Sequence, residues 1–117
     1  MQREVSYLKD LLLAARKIES IIASRKRAEF LRDEIAQAAV LHHLTVIGEA
    51  ANRLSPELKL RHPAIPWAQV IGARNRIVHE YFGLDWELLW TTASEEVPVL
   101  RVQAADLLRA EFSETES

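Results

Sequence analysis

From Val5 onward the apolar residues fall at Val5, Leu8, Leu11, Leu12, Ala15, Ile18, Ile21 and Ile22, spacings that add up to one helical stripe. The pattern predicts a first helix that stops near Ser24, where Ser24-Arg25-Lys26-Arg27 breaks the stripe and sets cations beside the last carbonyls. A second helix is expected from Phe30 to Leu54. Its apolar positions (Phe30, Leu31, Ile35, Ala38, Ala39, Leu41, Leu44, Ile47, Ala50, Ala51, Leu54) cover more than one face, which marks it as central. Gly48 costs about 1 kcal/mol against alanine inside a helix. Beside Ala50 and Ala51 it reads as a place where another helix backbone comes close, a structural rather than a chemical role.

Ser55-Pro56-Glu57 has the form of a helix start: a capping serine, proline at the first helical position and an acid in the first turn. The short helix it opens should run to about Arg61. His62-Pro63-Ala64-Ile65-Pro66 cannot be regular helix, because each proline pushes the residue before it toward extended backbone. Pro66-Trp67 then opens a long helix through Val70, Ile71, Arg74, Ile77 and Val78, ending before Gly83. Asp85 should cap a last helix through Trp86, Leu89, Ala93, Val97, Leu100, Ala104, Leu107 and Leu108, kinked at Pro98. No strand pattern interrupts this series. Long helices joined by short connections imply an all-α, antiparallel bundle of four to five helices.

With 117 residues, 49% of them hydrophobic, the chain can bury one sizeable core. Only 3 Gly and 4 Pro are present and no low-complexity stretch divides it, so one domain over 1–112 with a flexible tail at 113–117 is expected. The absence of cysteine excludes disulfides and thiolate metal sites. Met1-Gln2-Arg3-Glu4 lacks the apolar run of a signal peptide, and no stretch has the length of a membrane span, which together point to a cytoplasmic protein. A net charge of -2 argues against holding nucleic acid by bulk electrostatics; any RNA contact must be local. Arg25-Lys26-Arg27 reads best as solvated surface.

The local candidate is Arg74-Asn75-Arg76-Ile77-Val78-His79-Glu80-Tyr81, which gathers guanidinium, amide, imidazole, carboxylate and phenol in one short segment. Metal-free cleavage of RNA needs a base for the 2′-OH proton, an acid for the 5′-oxygen, and cations for the pentacovalent phosphorus. A histidine can both accept and donate a proton and an arginine offers a permanently charged fork of donors, so His79 and Arg74 supply both residue types. One histidine cannot easily be acid and base in the same step, which makes a two-fold homodimer attractive. Arg74 and His79, five apart, diverge by about 140° on a regular helix. Either the helix ends near His79 or a partner subunit closes the site. Asn75, four residues before His79, is placed to orient the imidazole or a phosphate, and Arg76 with Glu80 should form a surface pair.

The Arg-Asn-x-x-x-His-x-Tyr pattern at Arg74, Asn75, His79 and Tyr81 resembles the Arg-x4-His-x-Tyr signature of HepT-like toxins of the HEPN superfamily. Ile47-Gly48-Glu49-Ala50-Ala51, the Ile65-Pro66-Trp67 helix opening, and Trp90 with Val97-Pro98-Val99-Leu100 are also similar to that family. The resemblance implies a HEPN-like homodimer acting as a metal-independent endoribonuclease. In it the Arg74 and His79 equivalents act across a dimer cleft, with Asn75 as the supporting polar residue. It implies a type VII toxin whose RNA substrate is tRNA or mRNA, and a minimal nucleotidyltransferase (MNT-type) antitoxin that transfers AMP to Tyr81. A reading from another class stands beside it: a non-catalytic helical subunit that regulates, or presents substrate to, a nucleotidyltransferase.

Blander roles compete at several positions. His79 can serve as a helix C-terminal cap, Arg74 can pair with an acid of the second helix such as Glu49, and Tyr81 can be an interface aromatic. His42, His43 and His62 do not form a metal-binding spacing, so neither metal nor cofactor is expected. Trp67, Trp86 and Trp90 lie at helix starts or core spacing, where packing outweighs base stacking.

Overall fold

The computed structural model describes residues 2–116 and, from Arg3 on, their side chains; Met1 and Ser117, the outer ends of the expected domain and tail, lie outside the described residues. Every regular element among them is helical: α1 (Gln2–Ala23), α2 (Arg27–Phe30), α3 (Glu34–Arg53), α4 (Pro56–Arg61), α5 (Trp67–His79), a 3-10 turn (Tyr81–Gly83), α6 (Trp86–Thr91), a π-helical segment (Thr92–Glu96) and α7 (Val97–Phe112). This is the all-α bundle that the apolar spacing predicts.

The core follows from the stripes. Leu8, Leu11, Leu12, Ala15 and Ile18 of α1 are buried against Val40, Leu44, Ile47 and Ala51 of α3 and Leu100, Ala104, Leu107 and Leu108 of α7. The layer order is α7, α1, α3, α5, since α1 touches α3 and α7 while α5 leans on α3. An open cleft of about 900 Å³ separates α5 from α6 and α7, floored by Leu44 and Ile47.

The expected second helix is in fact two. The apolar spacing continues through Phe30, Leu31 and Ile35, but the backbone breaks between Phe30 and Glu34, and Asp33 caps α3 by accepting from the Ala36 N–H at 3.0 Å. That backbone bond, with the Arg25 guanidinium 2.9 Å away, holds the Asp33 carboxyl below its ordinary range. The break lets Phe30 turn inward. Its ring is fully buried against Trp86 and Trp90, with centroids 6.4 and 5.5 Å away. The side chain of Gln37, the buried polar residue of this core, donates to the Phe30 carbonyl at 3.0 Å.

Ser55 caps α4 through the Leu58 N–H, as its Ser-Pro-Glu start predicts. The following loop is tied down: the indole of Trp67 donates to the His62 carbonyl, and Arg61 and His62 both reach Glu111 of α7. Those two partners, Arg61 first, lower the Glu111 carboxyl from its ordinary 4.5 to about 2. The expected last helix begins at the Asp85 cap but is not uniform. Proline has no N–H and crowds the carbonyl four residues back. Here the π-helical segment Thr92–Glu96 sits just before Pro98 and takes up the misfit in place of a simple kink. After Phe112 the chain turns at Ser113, whose φ is 55°, and Glu114 and Glu116 return to Lys9 and Arg101.

No helix among the described residues is long and apolar enough to cross a membrane.

Candidate functional site

The polar segment occupies the C-terminal half of α5 and its exit turn. Of α5 only Ile77 is buried, so this helix rests on α3 by a narrow apolar seam and turns most of its circumference outward. Val70 and Ile77 lie along that seam; about 100° per residue then carries Asn75 and His79 to the outward side and leaves Arg74 at the seam's edge.

Arg74 is therefore held while His79 is not. The Arg74 Nη2 lies 2.8 Å from Glu49 Oε1 on α3, and its Nη1 donates to Asn75 Oδ1 at 2.9 Å. Its Nε is buried without a partner. At Gly48, which is buried, a Cβ would stand 2.3 Å from the Arg74 Cβ and 3.3 Å from the Val70 carbonyl oxygen. The close approach expected of Gly48 is thus an approach to Arg74 itself, and the glycine read as purely structural sits at the candidate site. The pairing of Arg74 with Glu49, weighed as a bland alternative, is present as well.

His79 is the last residue of α5 and is exposed, its side chain with no hydrogen bond or ion pair to other described residues. The helix does end where the angular argument allowed it to end. Glu80 caps that end, its N–H still donating to the Arg76 carbonyl at 2.8 Å, but no ion pair joins the two side chains. Of the two roles expected of Asn75, a bond to the imidazole is not seen: its amide oxygen accepts from Arg74. Val78, Tyr81 and Phe82 are exposed beside His79, Phe82 completely, and the Tyr81 and Phe82 rings meet edge to face at 5.5 Å.

The other candidates have structural partners. Arg25 pairs with Asp33 and Arg27 with Glu87, so the early cationic cluster ties α2 to its neighbours. Trp86 and Trp90 pack on Phe30 as expected. His42 and His43 bring their rings within 5.1 Å, and burial, then the neighbouring His42 and Lys17, lower the basicity of His43.

Arg74 thus presents a fixed guanidinium and His79 an uncommitted imidazole on the same helix but not on the same face. The arrangement can bind an anionic oxygen at Arg74 and exchange a proton at His79.

Comparison with known proteins agrees with the resemblance read from the motif. The sequence model of the family described as ribonuclease HepT-like matches residues 11–107. The chain is 37% identical over 95 residues to "Probable ribonuclease HepT" of Thermococcus cleftensis, covering 81% of this chain and 86% of that protein. It is 34% identical over 83 residues to a "Putative RNase" of Caldanaerobacter subterraneus subsp. tengcongensis, covering 71% and 74%. A "Putative RNase" of Methanocaldococcus jannaschii is 31% identical over 96 residues, covering 82% and 88%. No solved structure matches the chain.

Proposed function

The chain belongs to the ribonuclease HepT-like family, and from that premise we propose that it is a metal-independent endoribonuclease in which Arg74 and His79 cut RNA at the cleft of a homodimer. In the same reading it is the toxin of a type VII toxin–antitoxin pair, held inactive by an MNT-type nucleotidyltransferase that places AMP on Tyr81. The relatives' names give the reaction class, RNA cleavage.

The observation that carries the reading is the divergence of a fixed Arg74 and a free, exposed His79 at the end of α5. In a two-fold assembly that joins these ends, the imidazole of one copy takes the proton from the ribose 2′-OH. The resulting oxygen attacks the adjacent phosphorus. The second copy's imidazolium gives its proton to the departing 5′-oxygen, leaving a cyclic phosphate and a free 5′-hydroxyl. Arg74 stays charged throughout and offers donors to the equatorial oxygens as negative charge builds on them. Asn75, bound to Arg74, supports its orientation. The apolar surface of Val78 and Phe82 gives the two copies something to bury at the same place.

Tyr81 is half exposed, two residues past the end of α5. A nucleotidyl group there would add an anionic phosphate and bulk next to His79 and repel RNA. The test uses purified protein and a short RNA. Arg74→Ala and His79→Ala should each lose about a hundredfold or more in cleavage rate. Tyr81→Phe should keep cleaving and take up no AMP from a nucleotidyltransferase partner supplied with ATP. Retention of full activity by the His79 variant overturns the reading.

A further inference from the structure

Chemistry at Arg74 depends on where its guanidinium is held, and besides Asn75 of the motif two residues of α3 hold it. At Gly48 the first two side-chain carbons of Arg74 lie where a Cβ would be, at 2.3 and 3.1 Å. Any larger residue there pushes the root of Arg74 away from α3. The next residue, Glu49, takes the far end of the same side chain: its Oε1 is 2.8 Å from Nη2. Root and tip are thus gripped by consecutive residues of one helix.

Glu49 is itself braced. Its second oxygen lies 3.8 Å from Nη2 of Arg53, one turn along α3, and the Arg53 guanidinium sits over the Tyr7 ring of α1 at 5.9 Å. The carboxylate stands between two cations, one reaching to α1 and the other carried by α5. Its side chain is 38% exposed and that of Arg74 33%, so the pair is half-sheltered from water and from salt. The buried, unpartnered Nε of Arg74 points the same way. Leaving a buried donor unsatisfied costs about 1–3 kcal/mol, and a freely placed surface arginine would swing out to avoid it.

Arginine has five N–H donors. Asn75 engages one of them on Nη1, and Glu49 faces Nη2 as an ion pair, so donors remain on the guanidinium for phosphate oxygens. A carboxylate placed this way restrains one end of the guanidinium by charge without consuming its capacity for phosphate.

We propose that Glu49, seated by Gly48, is a positioning residue that sets the Arg74 guanidinium for the phosphorus in flight. The inference rests on the role given to Arg74 above, and it adds residues from another helix to the ribonuclease site. A competing role would make Glu49 a latch that occupies Arg74 until RNA displaces it; the two predict opposite signs.

Steady-state cleavage of a short RNA by Glu49→Ala and Glu49→Gln, beside Arg74→Ala and His79→Ala, decides. Misplacing a group that acts on the transition state costs about tenfold to a hundredfold in rate. Glu49→Ala should therefore lose that much in kcat, with KM changed by less than about threefold. Glu49→Gln keeps one hydrogen-bond acceptor and should recover part of the loss. Nitrogen-15 spectra of the arginine side chains supply a readout independent of turnover: rotation of the Arg74 guanidinium should be slow in the wild type and fast in Glu49→Ala. Should Glu49→Ala fail to fold, the isosteric glutamine variant carries the test alone, with an expected kcat loss of about threefold to tenfold.

Unchanged or faster cleavage by the Glu49 variants, or a change confined to KM, overturns the proposal while the Arg74 and His79 variants still report an intact reading of the site. Wild-type activity in Arg74→Ala and His79→Ala removes the ribonuclease assignment itself.

Discussion

α3 and α5 pack against each other yet are built on opposite terms. α3 is buried on several sides, with Ala36, Val40, Leu41, Leu44, Ile47, Gly48, Ala50 and Ala51 all inside. α5 buries Ile77 and little else, and its outward side carries Asn75, Val78 and His79. The difference shows how a small bundle divides its labour. A helix packed on several sides cannot spare positions for chemistry, whereas one held along a single seam can, provided the packed helix supplies the anchor. Glu49 and Gly48 are where α3 does so.

The contrast can be broken first at the core. Phe30→Ala removes a fully buried ring from between Trp86 and Trp90 and should cost about 3–5 kcal/mol in a denaturant titration, against little loss for outward residues of α5. Gly48→Ala comes next. A methyl group forced against the Arg74 Cβ and the Val70 carbonyl should cost about 1–3 kcal/mol by the same titration and reduce RNA cleavage along with it.

A smaller effect is confined to acid. Glu111 titrates near 2 in the folded chain rather than at its ordinary 4.5, so the unfolded state binds its proton first as pH falls. Its contribution is whole above about pH 4.5 and is lost progressively down to about 2. Thermal melts of the wild type and Glu111→Gln should therefore differ at neutral pH and converge across that window. The smallest change in monomer stability belongs to the α5 exit: Phe82→Ser should alter unfolding by less than about 0.5 kcal/mol at dilutions where the wild type is monomeric. Losses there comparable to those at Phe30 would mean that α5 and its turn are part of the core after all.

Most of this division was legible in the residues. The α1 stripe, the Ser55-Pro56-Glu57 start, the Asp85 cap and the helix opening at Trp67 all lie where local chemistry puts them. The break before α3 was masked because Phe30, Leu31 and Ile35 keep helical spacing across it, although Asp33 followed by Glu34 is itself a helix-start signal. The π-helical segment before Pro98 leaves no periodic trace, since it shifts the register only once. At the candidate site, the types and order of Arg74, Asn75, His79 and Tyr81 were plain. The sequence offered Glu49 as a partner for Arg74 and Gly48 as a close approach; spacing along one chain could not supply that the approach at Gly48 is to Arg74 itself, because the contact depends on how two helices pack. Within α5, spacing also did not show that the Asn75 amide accepts from its neighbour Arg74 or that Arg76 and Glu80 do not pair with each other.

The most direct measurement is cleavage of total RNA by the purified protein in excess EDTA, with His79→Ala run alongside at equal fold and concentration. Cleavage that persists in EDTA, ends in cyclic phosphates and falls by about a hundredfold or more in the variant is the result expected of a histidine acid–base pair at the end of α5. Cleavage that EDTA abolishes, or that the His79 variant performs as well as the wild type, would contradict it.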